Sequence, residues 1–116
     1  MVSPTRAIGD IAEDQALAVL RAAGLTLIDR NIASPLGEID LLMRDGVEWV
    51  FIEVRSRASN QFGGAAASVT RSKQNKLRKQ SQAVLKARFG DGAWPPCRFD
   101  VCAFEGGRIN WIKAAF

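Results

Sequence analysis

Four charged residues cluster around one turn signal. Glu38 and Asp40 precede Asp45-Gly46, and Glu53 and Arg55 follow it. An Asp-Gly pair between two apolar-rich runs is a hairpin signature, and it predicts strands over Gly37–Met43 and Glu48–Arg55. A two- or four-residue loop pairs Glu38 with Glu53 and Asp40 with Phe51. Asp40 and Glu53 then become diagonal neighbours, roughly 7–8 Å apart. Arg55 projects from the same face, one step beyond Glu53. The other face sets Ile39, Leu41 and Met43 against Val50, Ile52 and Val54 and reads as core.

Crowded carboxylates raise one another's pKa values and strain the fold unless a cation neutralises them. Hard oxygen donors suit Mg²⁺ or Mn²⁺, and Mg²⁺ typically takes one or two carboxylates and completes its shell with water and phosphate oxygens. Such an ion polarises a phosphoryl oxygen and activates a water for attack. The competing explanation is an exposed strand face with scattered acids.

The hairpin needs elements around it. Ser3-Pro4 reads as a helix entry, with Ile8, Ala12, Ala16, Val19, Leu20 and Ala23 as its apolar stripe and Gly24 as its stop. Leu25 to Ile32 reads as a first strand and residues 33–36 as a loop. Residues 56–69, rich in Ser, Gly and Ala, read as a mobile loop. Thr70 caps a second helix running to about Phe89, with Gly90 beyond it. Arg98–Phe104 and Ile109–Lys113 form a last hairpin around Glu105-Gly106-Gly107. The order α-β-β-β-α-β-β predicts an α/β fold, a mixed sheet flanked by helices.

The charges divide along the chain. Residues 1–53 hold nine acids and four bases, a net of −5, and residues 54–116 hold three acids and twelve bases, a net of +9. An acidic half suits a cation site and a basic half suits a polyanion. The second helix carries Arg71, Lys73, Lys76, Arg78, Lys79, Lys86 and Arg88 with no acid between them. Seven cations without partners repel each other, and phosphate contact would relieve them. Leu77, Val84, Leu85 and Ala87 are left to face the core. No sequence-reading motif appears, so recognition would follow backbone shape and charge. Trp49, Trp94 and Trp111 read as core or interface residues.

At 116 residues and 12.6 kDa the chain reads as one domain over 1–116. No apolar run approaches the roughly 20 residues of a membrane span. The first residues lack the apolar core of a secretory signal, so the expected compartment is the cytoplasm. There is no histidine, and Cys97 and Cys102 are not spaced as paired zinc ligands, so two reduced thiols are expected.

Gly37-Glu38-Ile39-Asp40-Leu41, followed by Phe51-Ile52-Glu53-Val54-Arg55-Ser56-Arg57, resembles the signature of the YraN family, a bacterial family grouped with the PD-(D/E)XK nuclease superfamily. Gly9, Glu13, Asn31, Phe62-Gly63, Lys73, Arg98-Phe99-Asp100-Val101 and Ala115-Phe116 extend the likeness over nearly the whole chain. The resemblance implies a restriction-endonuclease-like fold similar to archaeal Holliday junction resolvases. It implies Asp40 and Glu53 as ligands of Mg²⁺ or Mn²⁺, joined by the Val54 carbonyl, with Glu13 as a supporting acid from the first helix. On a helical wheel Glu13 borders the apolar stripe, which fits that place. Two positions depart from the pattern. Ala12 stands where the family usually has glycine, and Arg55 where the superfamily's lysine is expected. Arginine can stabilise phosphorane charge, but it stays protonated and holds its donors in a rigid fork.

The expectation is therefore a Mg²⁺-dependent endonuclease-like hydrolase acting on the DNA backbone, on branched or structured DNA among other forms. Glu13, Asp40, Glu53 and Arg55 carry the chemistry, and Arg57, Arg71, Lys73, Lys76 and Lys79 hold the DNA. No membrane is involved, and a homodimer is allowed. Two rivals are a nucleic-acid-binding module that keeps the fold without the chemistry, and an interaction subunit whose basic helix docks an acidic protein. Fold kinship alone does not establish activity.

Overall fold

The computed structural model describes residues 4–57 and 68–116, with side chains from residue 11 onward except that of Arg57. The elements are α1 (Pro4–Ala22), β1 (Thr26–Ser34), β2 (Gly37–Asp45), β3 (Glu48–Arg57), α2 (Arg71–Phe89), β4 (Cys97–Glu105) and β5 (Arg108–Ile112). The five strands form one sheet in the order β1-β2-β3-β4-β5. Only β3 and β4 run parallel, and α2 lies in the crossover between them. This is the expected mixed α/β arrangement in the expected order.

Local signals set most boundaries. Gly24 takes φ +102, its N–H bonds to the Arg21 carbonyl, and the Leu25 N–H reaches back to Leu20. That pair of bonds is a Schellman stop, sealed by Leu20 and Leu25 in the same core cluster. At α2 the Thr70 hydroxyl accepts from the Lys73 N–H, and Gly90 ends the helix as expected. Gly106 and Gly107 both take positive φ, the requirement of the tight turn joining β4 and β5. Half of the expected loop at 33–36 is strand, because β1 runs to Ser34, which pairs with Gly37, and only Pro35-Leu36 form the turn. Ser56 and Arg57 likewise extend β3. The rest of the expected mobile loop, and Phe62-Gly63, lie outside the described residues apart from the turn at 68–70.

Both sheet faces are covered. Leu41, Met43, Val50, Ile52 and Cys102 pack under Ala16, Leu17 and Leu20 of α1. Leu42 and Phe51 pack under Leu85 of α2, with Leu77, Val84, Trp49 and Phe99 around them. The α1 stripe is rotated from the expected one, since Leu17 is buried and Val19 is exposed. On α2, Gln80 and Ser81 are buried while Ala87 is exposed. Ile39 joins the α2-side cluster, although strict alternation would place it with Leu41. The alternation breaks at Asp40. Cys97 and Cys102 are free thiols, and burial pushes Cys102 up to about 12. Among the described residues no helix is long and apolar enough to cross a membrane.

Candidate functional site

The turn between β2 and β3 is Gly46-Val47, with Asp45 paired to Glu48. Gly46 takes φ +62 in the first central position, not the second, which slides the register by two residues. The regular pairing ends at Leu41 with Ile52, so Asp40 lies across from Glu53 and not from Phe51. An even slip keeps every side chain on its face. The slip alone therefore brings Asp40 and Glu53 together without reversing a face, and the break in alternation at Asp40 comes in addition to it.

The Asp40 carboxylate accepts the Val54 N–H at 2.8 Å. Where the strand turns over at Asp40, acids from both sides of the sheet converge. Glu13 arrives from α1, and carboxylate oxygens of Glu13, Glu38 and Asp40 lie within 4.8 Å of one another. Glu53 is hydrogen-bonded to Asp40 from the other direction. Burial, then the Glu53 and Glu38 charges, push Asp40 up to about 7 against the Val54 N–H. Burial raises Glu53 as well, opposed by Arg55, by the bond to Asp40 and by Lys73. Glu13 is raised by burial and by Asp40. Two buried carboxyls side by side cannot both ionise cheaply, which is the physical cause of both upward shifts.

Several residues hold this cluster. Arg30 pairs with Asp14 at 2.9 Å and reaches Glu13 at 3.5 Å. One side-chain amide atom of Asn31 lies 2.7 Å from a Glu13 oxygen and 2.8 Å from a Glu38 oxygen; because both neighbours are acceptors, that atom is assigned as the nitrogen, which donates to each. Gln80, buried on α2, donates from Nε2 to the Ile32 and Gly37 carbonyls at 2.8 Å each, fastening the helix to the hairpin. Arg55 pairs with Glu53 at 2.6 Å, while its Nε is buried with no hydrogen-bond acceptor.

A cleft of about 220 Å³ opens beside the acids, with Glu38, Glu53 and Arg55 on one wall and Lys73, Lys76, Leu77 and Gln80 on the other. Its mouth carries the exposed Leu36. The structure thus brings together Glu13, Asp40, Glu53, Arg55, Lys73 and Lys76. Arg71 and Lys79 are exposed on α2 and do not line the cleft, and the Arg57 side chain lies outside the described residues. The helix is less unpaired than its sequence implies. Arg88 pairs with Asp29, Lys86 with Asp91, and Arg78 lies over the Phe116 ring.

Glu38 was legible as part of the acidic patch but not as a partner of Glu13. Gln80 acquires its contacts only from tertiary placement and no local pattern marks it, whereas Asn31 belongs to the YraN likeness but with no role that the sequence assigns. The donor set consists of hard carboxylate oxygens, which fits Mg²⁺ or Mn²⁺ and no soft metal.

Over residues 12–104 the chain matches the Uncharacterised protein family UPF0102. The UPF0102 protein of Bordetella petrii is 50% identical over 117 residues, spanning 98% of this chain and 72% of that protein. The UPF0102 protein YraN of Escherichia coli O1:K1 / APEC is 50% identical over 112 residues, 97% of this chain and 86% of the relative. A UPF0102 protein of Shewanella loihica is 46% identical over 108 residues, covering 93% and 92%. The chain belongs to the UPF0102 family, which includes the YraN proteins, as its hairpin motifs foretold.

Proposed function

We propose that this UPF0102 member is a nucleic-acid-binding protein that hydrolyses the DNA phosphodiester backbone with Mg²⁺ or Mn²⁺ held at the Asp40 site. The observation that carries the reading is the convergence of four carboxylates, Glu13 and Glu53 buried, Asp40 half-buried and Glu38 exposed, beside a cleft walled by Arg55, Lys73 and Lys76. Acids alone would be a cation site, and cations alone a phosphate site. Side by side, they suit a phosphate that approaches a cation. Asp40, with Glu53 and Glu38, would hold the ion, and Glu13 would support it. When bound, the ion supplies Lewis acidity toward a phosphoryl oxygen and toward an attacking water. Lys73 and Lys76 bind and orient the backbone, and Arg55 offers charge to the oxygens on which negative charge develops. The basic face of α2 extends the contact along the strand without reading bases.

One observation favours a second reading, a binding module without chemistry. Arg55 is engaged with Glu53 at 2.6 Å and occupies the place of a lysine. A guanidinium tied to a metal-ligand candidate is less free to approach a water than an ammonium is. A cleavage screen with Mg²⁺ and Mn²⁺ over single-stranded, flapped and four-way-junction DNA separates the two. Metal-dependent cleavage that Asp40→Asn abolishes supports the enzyme. Salt-sensitive binding without cleavage leaves the module, and the absence of binding sinks both.

A further inference from the structure

We propose that Asn31 is the positioning residue of the acidic site, clamping Glu13 to Glu38 so that the cluster is preassembled for its cation; this rests on the metal reading above. Asn31 has φ +55, in the middle of β1. The pairing with β2 steps from Arg30 and Leu41 to Ile32 and Ile39, which puts Asn31 directly across from Asp40. The irregularities in the two strands therefore face each other. A left-handed residue inside a strand is costly for most side chains and mildest for glycine, asparagine and aspartate. Here the twist delivers the amide to the acids.

The side-chain nitrogen has two hydrogens, and both are used, one on Glu13 from α1 and one on Glu38 from β2. No other described side chain bridges those two carboxylates. Arg30 reaches only Glu13, at 3.5 Å, and the Val54 N–H serves Asp40. Each carboxylate has two oxygens and about four acceptor directions. The clamp therefore leaves oxygens free for an ion, and Asn31 acts through Glu13 and Glu38 without touching it. Partners that orient metal ligands in this way typically govern affinity by about 10–100-fold.

The rival is a purely backbone role, in which any residue tolerant of positive φ would serve. Asn31→Gly keeps that backbone and removes the amide. Asn31→Asp keeps shape and conformation but replaces the donor with a charge. Mn²⁺ and Mg²⁺ are titrated calorimetrically into each variant, and melting is followed with and without metal. Asn31→Gly should bind Mn²⁺ about tenfold or more weakly. Asn31→Asp should melt lower than the wild type without metal and gain more from it, because a further carboxylate then faces Glu13 and Glu38. Wild-type affinity in Asn31→Gly would overturn the clamp alone. Should that variant fail to fold, a metal-free Asn31→Asp that melts like the wild type would overturn it equally, since a carboxylate in contact with Glu13 and Glu38 must destabilise the fold. No Mn²⁺ binding by the wild type would overturn the metal reading and this role with it.

Discussion

Burial and the charges of Glu53 and Glu38 push the Asp40 carboxyl the same way, from its ordinary 3.8 to about 7. Because the folded value lies above the unfolded one, the fold holds this proton where the unfolded chain has released it. Stability without metal should fall as pH rises from about 4 to about 7, by up to about 1.4 kcal/mol per pH unit. Glu13 and Glu53, also raised, act with the same sign. Thermal melting in chelator should show the midpoint dropping by several degrees across this window. Asp40→Asn should flatten that slope and raise the midpoint at pH 7.5, while losing the gain from Mg²⁺. A slope of opposite sign would mean that these acids are ordinary paired carboxylates. Arg55 poses the other test at this scale. Arg55→Lys should raise Mg²⁺-dependent cleavage by about tenfold, about 1.4 kcal/mol of barrier, because a compact ammonium can leave Glu53 and meet the phosphate. If wild-type cleavage is efficient and the lysine variant loses it, arginine is the adapted residue.

Elements position these residues, and their ends were the most legible part of the sequence. Thr70, Gly24, Gly90 and Gly106-Gly107 act through bonds a few residues away, so their patterns show locally. Register is less local. Gly46 prefers the first turn position, which the Asp-Gly signal does not specify, and a two-residue slip leaves the alternation intact. The same limit hid the reversal of Ile39 and the burial of Leu17, which depend on what packs opposite. On α2, Arg88 and Lys86 find acids at Asp29 and Asp91, partners that a helix-only reading does not supply. Lys73, Lys76 and Lys79 have no ion pair among the described residues. Reversing these three to Glu should weaken DNA binding alike for unrelated sequences and reduce the salt slope by about 3. A filter-binding series at several salt concentrations measures both, and unchanged affinity would make α2 a solvated face.

Across the whole molecule, the site stands at one end of the β2–β3 hairpin and a second ionic centre stands at the other. Arg98 binds Asp45 at 2.9 Å and Glu48 at 2.7 Å through Nη1, and Asp100 through Nε. Asp100, fully buried, also accepts the Trp111 indole and the Ala114 N–H. The Arg98-Phe99-Asp100 likeness thus serves the sheet, tying the turn of the hairpin to β4 and β5 and away from the acids. Arg98→Ala should cost about 3–5 kcal/mol, because it strands a buried aspartate. Chemical denaturation should show the loss without any change in metal affinity per folded molecule. The division of charge along the chain was legible from composition, but the meeting of its halves was not. Only the crossover through α2 brings Lys73 and Lys76 beside Glu53.

Every role proposed for the site requires that these acids hold a divalent cation. Crystals grown with Mn²⁺ and measured at the manganese absorption edge test it most directly. One anomalous peak should stand among Asp40, Glu38, Glu53 and Glu13, at the roughly 2.0–2.6 Å of hard-cation bonds from an Asp40 oxygen. A map with no peak there at saturating Mn²⁺, or with peaks only on exposed acids elsewhere, would contradict it.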